Sequence, residues 1–139
     1  MNQNEDDSFL WLNYAKEDLQ AALILIENEN TSCRNAAYLL QQAAEKAIKA
    51  CYIFENKRFE KTHNLDALRN NLSGNWEWKS LFRDLSALTA LNIESRYPGD
   101  WDEISMNEAK DLYKISFEIV QKINDEIYNR LGTSKNKRK

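Results

Sequence analysis

Three stretches of this chain hold residues whose types and spacing can do chemistry. In Gln41-Gln42-Ala43-Ala44-Glu45-Lys46-Ala47-Ile48-Lys49-Ala50, Lys46 and Lys49 can meet a phosphate while Gln41 or Gln42 supplies directional hydrogen bonds. The same pattern also describes an exposed helix face, with Glu45 four residues before Lys49 in the favourable order, and spacing alone favours that plainer account. The single histidine, His63, lies in Lys61-Thr62-His63-Asn64 and can act as a general acid or base near neutral pH. Thr62, His63 and Asn64 equally have the composition of a helix start, where side chains satisfy unpaired backbone N–H groups. Arg96, Tyr97, Asp100 and Trp101 surround a rigid Pro98-Gly99 turn. Its guanidinium can hold a phosphate bidentately beside Tyr97 or Trp101 as a stacking surface; alternatively it closes a helix end beside aromatics that pack the end of a bundle. Trp76 and Trp78 read as core or partner-facing hydrophobes rather than as base platforms.

Other chemistries are removed by arithmetic. A zinc site needs three or four convergent ligands, and His63 with Cys33 and Cys51 offers no ligand spacing, so no metal and no cofactor is expected. H-E-x-x-H, G-x-S-x-G and Walker loops are missing. The two cysteines lie too far apart along one helical stretch to bridge and read as reduced cytoplasmic thiols. There is no basic start followed by an apolar run and a cleavage site, and no apolar run of the ~20 residues that span a bilayer. A soluble, cytoplasmic protein with no membrane association is expected. The net charge of −3 permits a local basic pocket but argues against a broad nucleic-acid surface.

The elements that must position these residues are helices. With 139 residues the chain makes one domain, and 3 Gly and 1 Pro give too little punctuation for the tight turns of a sandwich or barrel. Leu12, Ala15, Leu19, Ala22, Leu23 and Ile26 recur at steps of three and four, predicting a helix over 8–28 capped by Asp7 or Ser8. Ala36, Ala37, Leu40, Ala43, Ala44, Ala47, Ile48 and Cys51 form a second stripe. Small residues there admit a close neighbour, and Gln41, Gln42, Glu45, Lys46 and Lys49 form the outer face. A short helix from Leu65 to Leu72 ends at Ser73-Gly74. Trp78, Leu81, Phe82, Leu85, Leu88 and Thr89 mark a fourth helix ending near Ser95, because Pro98 forces a stop. Ser105-x-x-Glu108 is a capping box that opens the last helix, with Ala109, Leu112, Tyr113, Ser116, Val120, Ile123 and Ile127 inward. The expected fold is all-α: an up-and-down bundle of four long helices plus one short helix over 8–131, between a flexible N-terminus at 1–7 and a basic flexible tail at 132–139.

Together these features resemble the HEPN domain (higher eukaryotes and prokaryotes nucleotide-binding) over about residues 8–131. The likeness lies in AKEDL (Ala15–Leu19), AYLLQQAAEKAIKA (Ala37–Ala50), THNL (Thr62–Leu65), RYPGD (Arg96–Asp100) and the long final amphipathic helix. It implies a small helical bundle, often a homodimer, commonly encoded beside a minimal nucleotidyltransferase in a two-gene module of the toxin–antitoxin kind. The chain also looks like the C-terminal bundle of kanamycin nucleotidyltransferase-type enzymes. Many members of the family are metal-independent ribonucleases with an R-x4-6-H motif. Arg96 matches its arginine, but Trp101, Asp102 and Glu103 follow and no later histidine exists. Arginine alone stabilises charge and moves no proton, so a nuclease has to recruit His63 or Asp100. The expected role is therefore binding of nucleotide or RNA phosphate by Arg96, Tyr97, Lys46, Lys49 and Gln42, in partnership with a minimal nucleotidyltransferase. The alternatives are a ribonuclease toxin with a variant site using Arg96 and His63, and a non-catalytic interaction module.

Overall fold

The computed structural model describes residues 2–28, 33–92 and 103–137, and every regular element among them is helical. The order is α1 (Gln3–Glu27), α2 (Cys33–Phe54), α3 (Leu65–Asn71), α4 (Trp78–Leu81), α5 (Ser86–Thr89) and α6 (Met106–Lys137). Three of these are long and three short, which corrects the expected count of four long helices and one short one. α1, α2 and α6 pack on one another, with α3 and α5 against α2 and with α4 and α5 against α6.

α1 begins earlier than the apolar stripe predicts. The Asn2 side chain accepts from the Glu5 N–H at 2.9 Å, and the Glu5 carboxylate accepts from the Asn2 N–H at 3.1 Å. This reciprocal box satisfies two backbone donors and starts the helix at Gln3. Ser8, expected as a cap, is instead buried and donates its hydroxyl to the Glu5 carbonyl at 2.7 Å. The buried face follows the predicted stripe at Leu12, Ala15, Leu19, Ala22 and Ile26, whereas Leu23 is only partly covered.

Along α2 the stripe Ala36, Ala37, Leu40, Ala43, Ala44, Ala47, Ile48 and Cys51 is wholly buried. Alanine has no side chain beyond Cβ, so neighbouring helix backbones approach closely at these positions. The helix stops where Asn56 takes a φ of 56°, in the left-handed region. There the Lys57 N–H donates to the Tyr52 carbonyl at 2.8 Å and the Asn56 N–H to the Ile53 carbonyl at 3.0 Å. This pair of bonds is the Schellman termination, and asparagine tolerates the required φ better than most residues.

The expected fourth helix is broken into α4 and α5. Side chains from elsewhere take the backbone groups that a continuous helix would pair internally. Arg69 donates to the Phe82 carbonyl at 2.7 Å, and the Asp66 carboxylate accepts from the Leu85 N–H at 2.9 Å. Asp84 adds a local bond by accepting from the Ser86 N–H at 3.0 Å. Glu126 of α6 accepts from the backbone N–H groups of Glu77 at 3.1 Å and Trp78 at 2.5 Å, covering the start of α4. Helix α6 runs to Lys137, past Leu131. No proline lies in that stretch, and Gly132 alone costs only about 1 kcal/mol in a helix.

Ser105 caps α6 as the sequence predicts, its hydroxyl accepting from the Glu108 N–H at 3.1 Å. Ser105→Ala is expected to cost about 1 kcal/mol and lower the melting temperature by roughly 4 °C, read by circular dichroism.

Candidate functional site

The α2 residues singled out for chemistry do not share one exposed face. Gln41 and Glu45 are buried, correcting their expected outward placement, whereas Gln42, Lys46 and Lys49 lie at the partly covered margin. Ala37, Gln41, Glu45 and Ile48 stand at steps of four, four and three, and so occupy the column that faces inward. The loop after α2 returns His63 to this column.

Glu45 is the centre of the arrangement. One carboxylate oxygen lies 2.8 Å from His63 Nδ1 and accepts from Gln41 Nε2 at 3.0 Å; the other accepts from Lys49 Nζ at 3.0 Å. Its side chain is 6% exposed, against 44% for that of His63. Burial by itself pushes the Glu45 carboxyl up. The hydrogen bonds from His63, Gln41 and Lys49, together with the Lys49 charge, outweigh burial and hold the carboxyl below its ordinary value. An ionised carboxylate only accepts hydrogen bonds, so Nδ1 of His63 carries the proton. The carboxylate thus fixes the tautomer and ring orientation of a partly exposed imidazole.

The remaining partners extend the network. Gln42 Nε2 donates to Gln41 Oε1 at 2.7 Å, Lys46 Nζ pairs with Asp18 of α1 at 2.6 Å, and the Lys49 ammonium lies 4.8 Å from the Phe59 ring centroid. Helix α3 starts immediately beyond His63, where the Asn64 side chain accepts from the Ala67 N–H at 3.1 Å and Thr62 Oγ1 from the Asn64 N–H at 3.1 Å. Thr62 and Asn64 therefore serve the helix start, while His63 turns to Glu45.

The structure thus brings Gln42, Lys49 and His63 into one hydrogen-bonded chain, with Lys46 one turn away on α2. Arg96, Tyr97, Asp100 and Trp101 lie outside the described residues. The central role of Glu45 and Gln41 was not apparent from the Glu45–Lys49 spacing, although their inward column was a usable signal. Among the described residues, no group of three or more His, Cys, Asp and Glu side chains is placed to hold a metal ion, and no helix is long and apolar enough to cross a membrane.

The family model described as HEPN domain matches residues 9–127, most of the chain. The chain belongs to the HEPN domain family. No curated protein and no solved structure matches it. Within this HEPN domain the matched span runs from α1 into α6 and includes the whole Glu45 network. Membership gives the domain a nucleotide- or RNA-related setting. Trp76 and Trp78, both buried, belong to the core of the HEPN fold. The thiol of Cys51 is equally enclosed, and burial raises its pKa well above the ordinary value, so it stays protonated and unreactive.

Proposed function

We propose that this HEPN domain binds the phosphate of a nucleotide or RNA at the Gln42–Lys46–Lys49 margin of α2, with Arg96 and Tyr97 contributing. We further propose that it pairs with a minimal nucleotidyltransferase in a two-gene toxin–antitoxin-type module and works as a homodimer in the cytoplasm. The observation carrying the binding role is the buried Glu45 carboxylate, which holds Lys49 and His63 beside one another at the edge of the fold. A ligand phosphate draws Lys46 and Lys49 from Asp18 and Glu45, exchanging one ion pair for another. Affinity is therefore modest and falls with salt.

The hydrogen bond between Glu45 and His63 favours a second reading, a metal-independent endoribonuclease. An oriented imidazole can take the proton from a ribose 2′-OH as the 2′ oxygen attacks phosphorus, while Arg96 stabilises the developing charge. The 5′ oxygen leaves with a proton from the protonated imidazole or from water, and a 2′,3′-cyclic phosphate results.

One set of proteins tests both readings. ATP, GMP and a short oligoribonucleotide are titrated against the wild type and against Lys46→Ala, Lys49→Ala and Arg96→Ala. Each substitution is expected to weaken binding about tenfold, the worth of one charge-assisted hydrogen bond. Binding indifferent to all three rejects the site. RNA cleavage in EDTA that His63→Ala abolishes, with the fold intact, replaces the binding role with the nuclease. Co-expression with the product of the adjacent gene tests the pairing, which fails if no complex forms or if the neighbour is no nucleotidyltransferase.

A further inference from the structure

A second group of cations collects at the other end of α3 and differs in kind from Lys46 and Lys49. Lys79 Nζ donates to the carbonyls of Leu72 at 2.7 Å and Ser73 at 3.0 Å, Lys57 Nζ to the carbonyl of Asn71, and Arg83 Nε to the carbonyl of Ser80 at 3.3 Å. Among the described residues, no carboxylate forms an ion pair with Lys57, Lys79 or Arg83. Lys46 and Lys49, by contrast, each hold a carboxylate, at 2.6 and 3.0 Å. A carbonyl orients an ammonium without cancelling its charge.

The acids nearby are turned to other donors, and of them only Asp66 pairs with a cation of this group. Asp66 binds Arg69 at 2.7 Å and the Leu85 N–H, Glu55 accepts from Ser73 at 2.7 Å and from the Trp76 indole at 2.9 Å, and Asp84 accepts from Ser86. Arg69 is buried beneath the group and Arg83 is exposed above it. Burial, then repulsion from Lys57 and Arg69, lowers the pKa of Lys79 against the smaller opposing pull of Glu55. Arg69, Asn70, Lys79, Ser80 and Arg83 line an open recess here. It offers the Arg83 guanidinium, the Lys79 ammonium and the Asn70 amide to one ligand, while the Ser80 hydroxyl donates to the Glu77 carbonyl at 2.9 Å.

We propose that this recess between α3 and α4 is a phosphate site, distinct from the α2 margin, and that the phosphate it takes belongs to an RNA strand. Phosphate matches the donor set because its several oxygens accept from the Arg83 fork and Lys79 together. A helix of seven residues separates the recess from His63, a distance of about 10 Å at 1.5 Å per residue. A strand lying along α3 meets both ends. That a strand carries the phosphate rests on the proposed nucleic-acid role, whereas the anion site itself does not.

The test uses the full chain and three probes: inorganic phosphate, AMP and a ten-nucleotide single-stranded RNA, each titrated by NMR with the amides of Asn70 and Ser80 as reporters. Lys79→Gln, Arg83→Gln and Lys79→Arg are compared with Lys46→Gln. Arg83 is exposed and its substitution spares the fold if that of Lys79 does not. Lys79→Gln and Arg83→Gln are each expected to weaken RNA binding about tenfold and reduce the salt slope by about one, while Lys79→Arg retains both. RNA binding that Lys46→Gln weakens but Lys79→Gln and Arg83→Gln leave unchanged overturns the inference and spares the α2 site. Phosphate shifts at Asn70 and Ser80 that vanish in Arg83→Gln, without any RNA or AMP binding, keep the anion site and reject the nucleic-acid role. AMP binding there as tightly as the RNA overturns the assignment to a strand.

Discussion

Trp78→Ala is expected to lower the unfolding free energy by about 3–5 kcal/mol, the largest loss from any single substitution considered for this fold. The side chain is fully buried among α2, α4 and α6, and its removal leaves a void that the surrounding helix backbones cannot fill. Its indole N–H lies against the sulfur of Cys51, a weak acceptor, and has no oxygen partner. Trp78→Phe should therefore cost far less, at most about 1.5 kcal/mol, because it keeps much of the ring volume and discards an ill-satisfied donor. Urea denaturation followed by circular dichroism measures both variants. Equal losses would show that the N–H, not the volume, holds this part of the core.

Glu45→Ala is expected to cost about 3 kcal/mol, because the buried Gln41 amide loses the closer of its two acceptors while Lys49 and His63 lose their shared anion. The pH dependence follows from the lowered carboxyl pKa. The native state binds this proton less readily than the unfolded chain, so the contribution is complete above the ordinary value of 4.5 and is lost as pH falls through the lower native value. Glu45→Gln should flatten the stability profile across that acid range while costing less than Glu45→Ala at neutral pH, since the amide still accepts from Gln41. Urea midpoints taken from pH 3 to 7 decide the matter, and an undiminished acid slope in Glu45→Gln would assign it to other carboxylates.

The core stripes were legible in the sequence because their cause is local. Leu12, Ala15, Leu19, Ala22 and Ile26 repeat at helical spacing, as do Ala36 to Cys51, and the structure buries them. The Ser105–Glu108 cap was legible for the same reason. Two features were hidden because distant residues create them. The break between α4 and α5 depends on Asp66, Arg69 and Glu126, the last of them 48 residues from the amide it accepts from. Periodicity through Leu81, Phe82 and Leu85 cannot register such partners. At the candidate site, Lys46, Lys49, Gln42 and His63 were recognisable from residue type alone. Glu45 was read as half of a surface pair because its i+4 lysine is adjacent in sequence, whereas His63, which helps draw it inward, is 18 residues away.

The alanine column of α2 also bears on how this domain can change over time. Ala36, Ala37, Ala43, Ala44, Ala47 and Ala50 leave no room for a larger residue, and each added methylene there displaces a neighbouring helix at a cost of about 1–3 kcal/mol. Mutational drift along this helix is thereby confined to its margin, where Gln42, Lys46 and Lys49 reach solvent. A descendant can acquire a different ligand preference by exchanging those side chains while inheriting an unaltered scaffold.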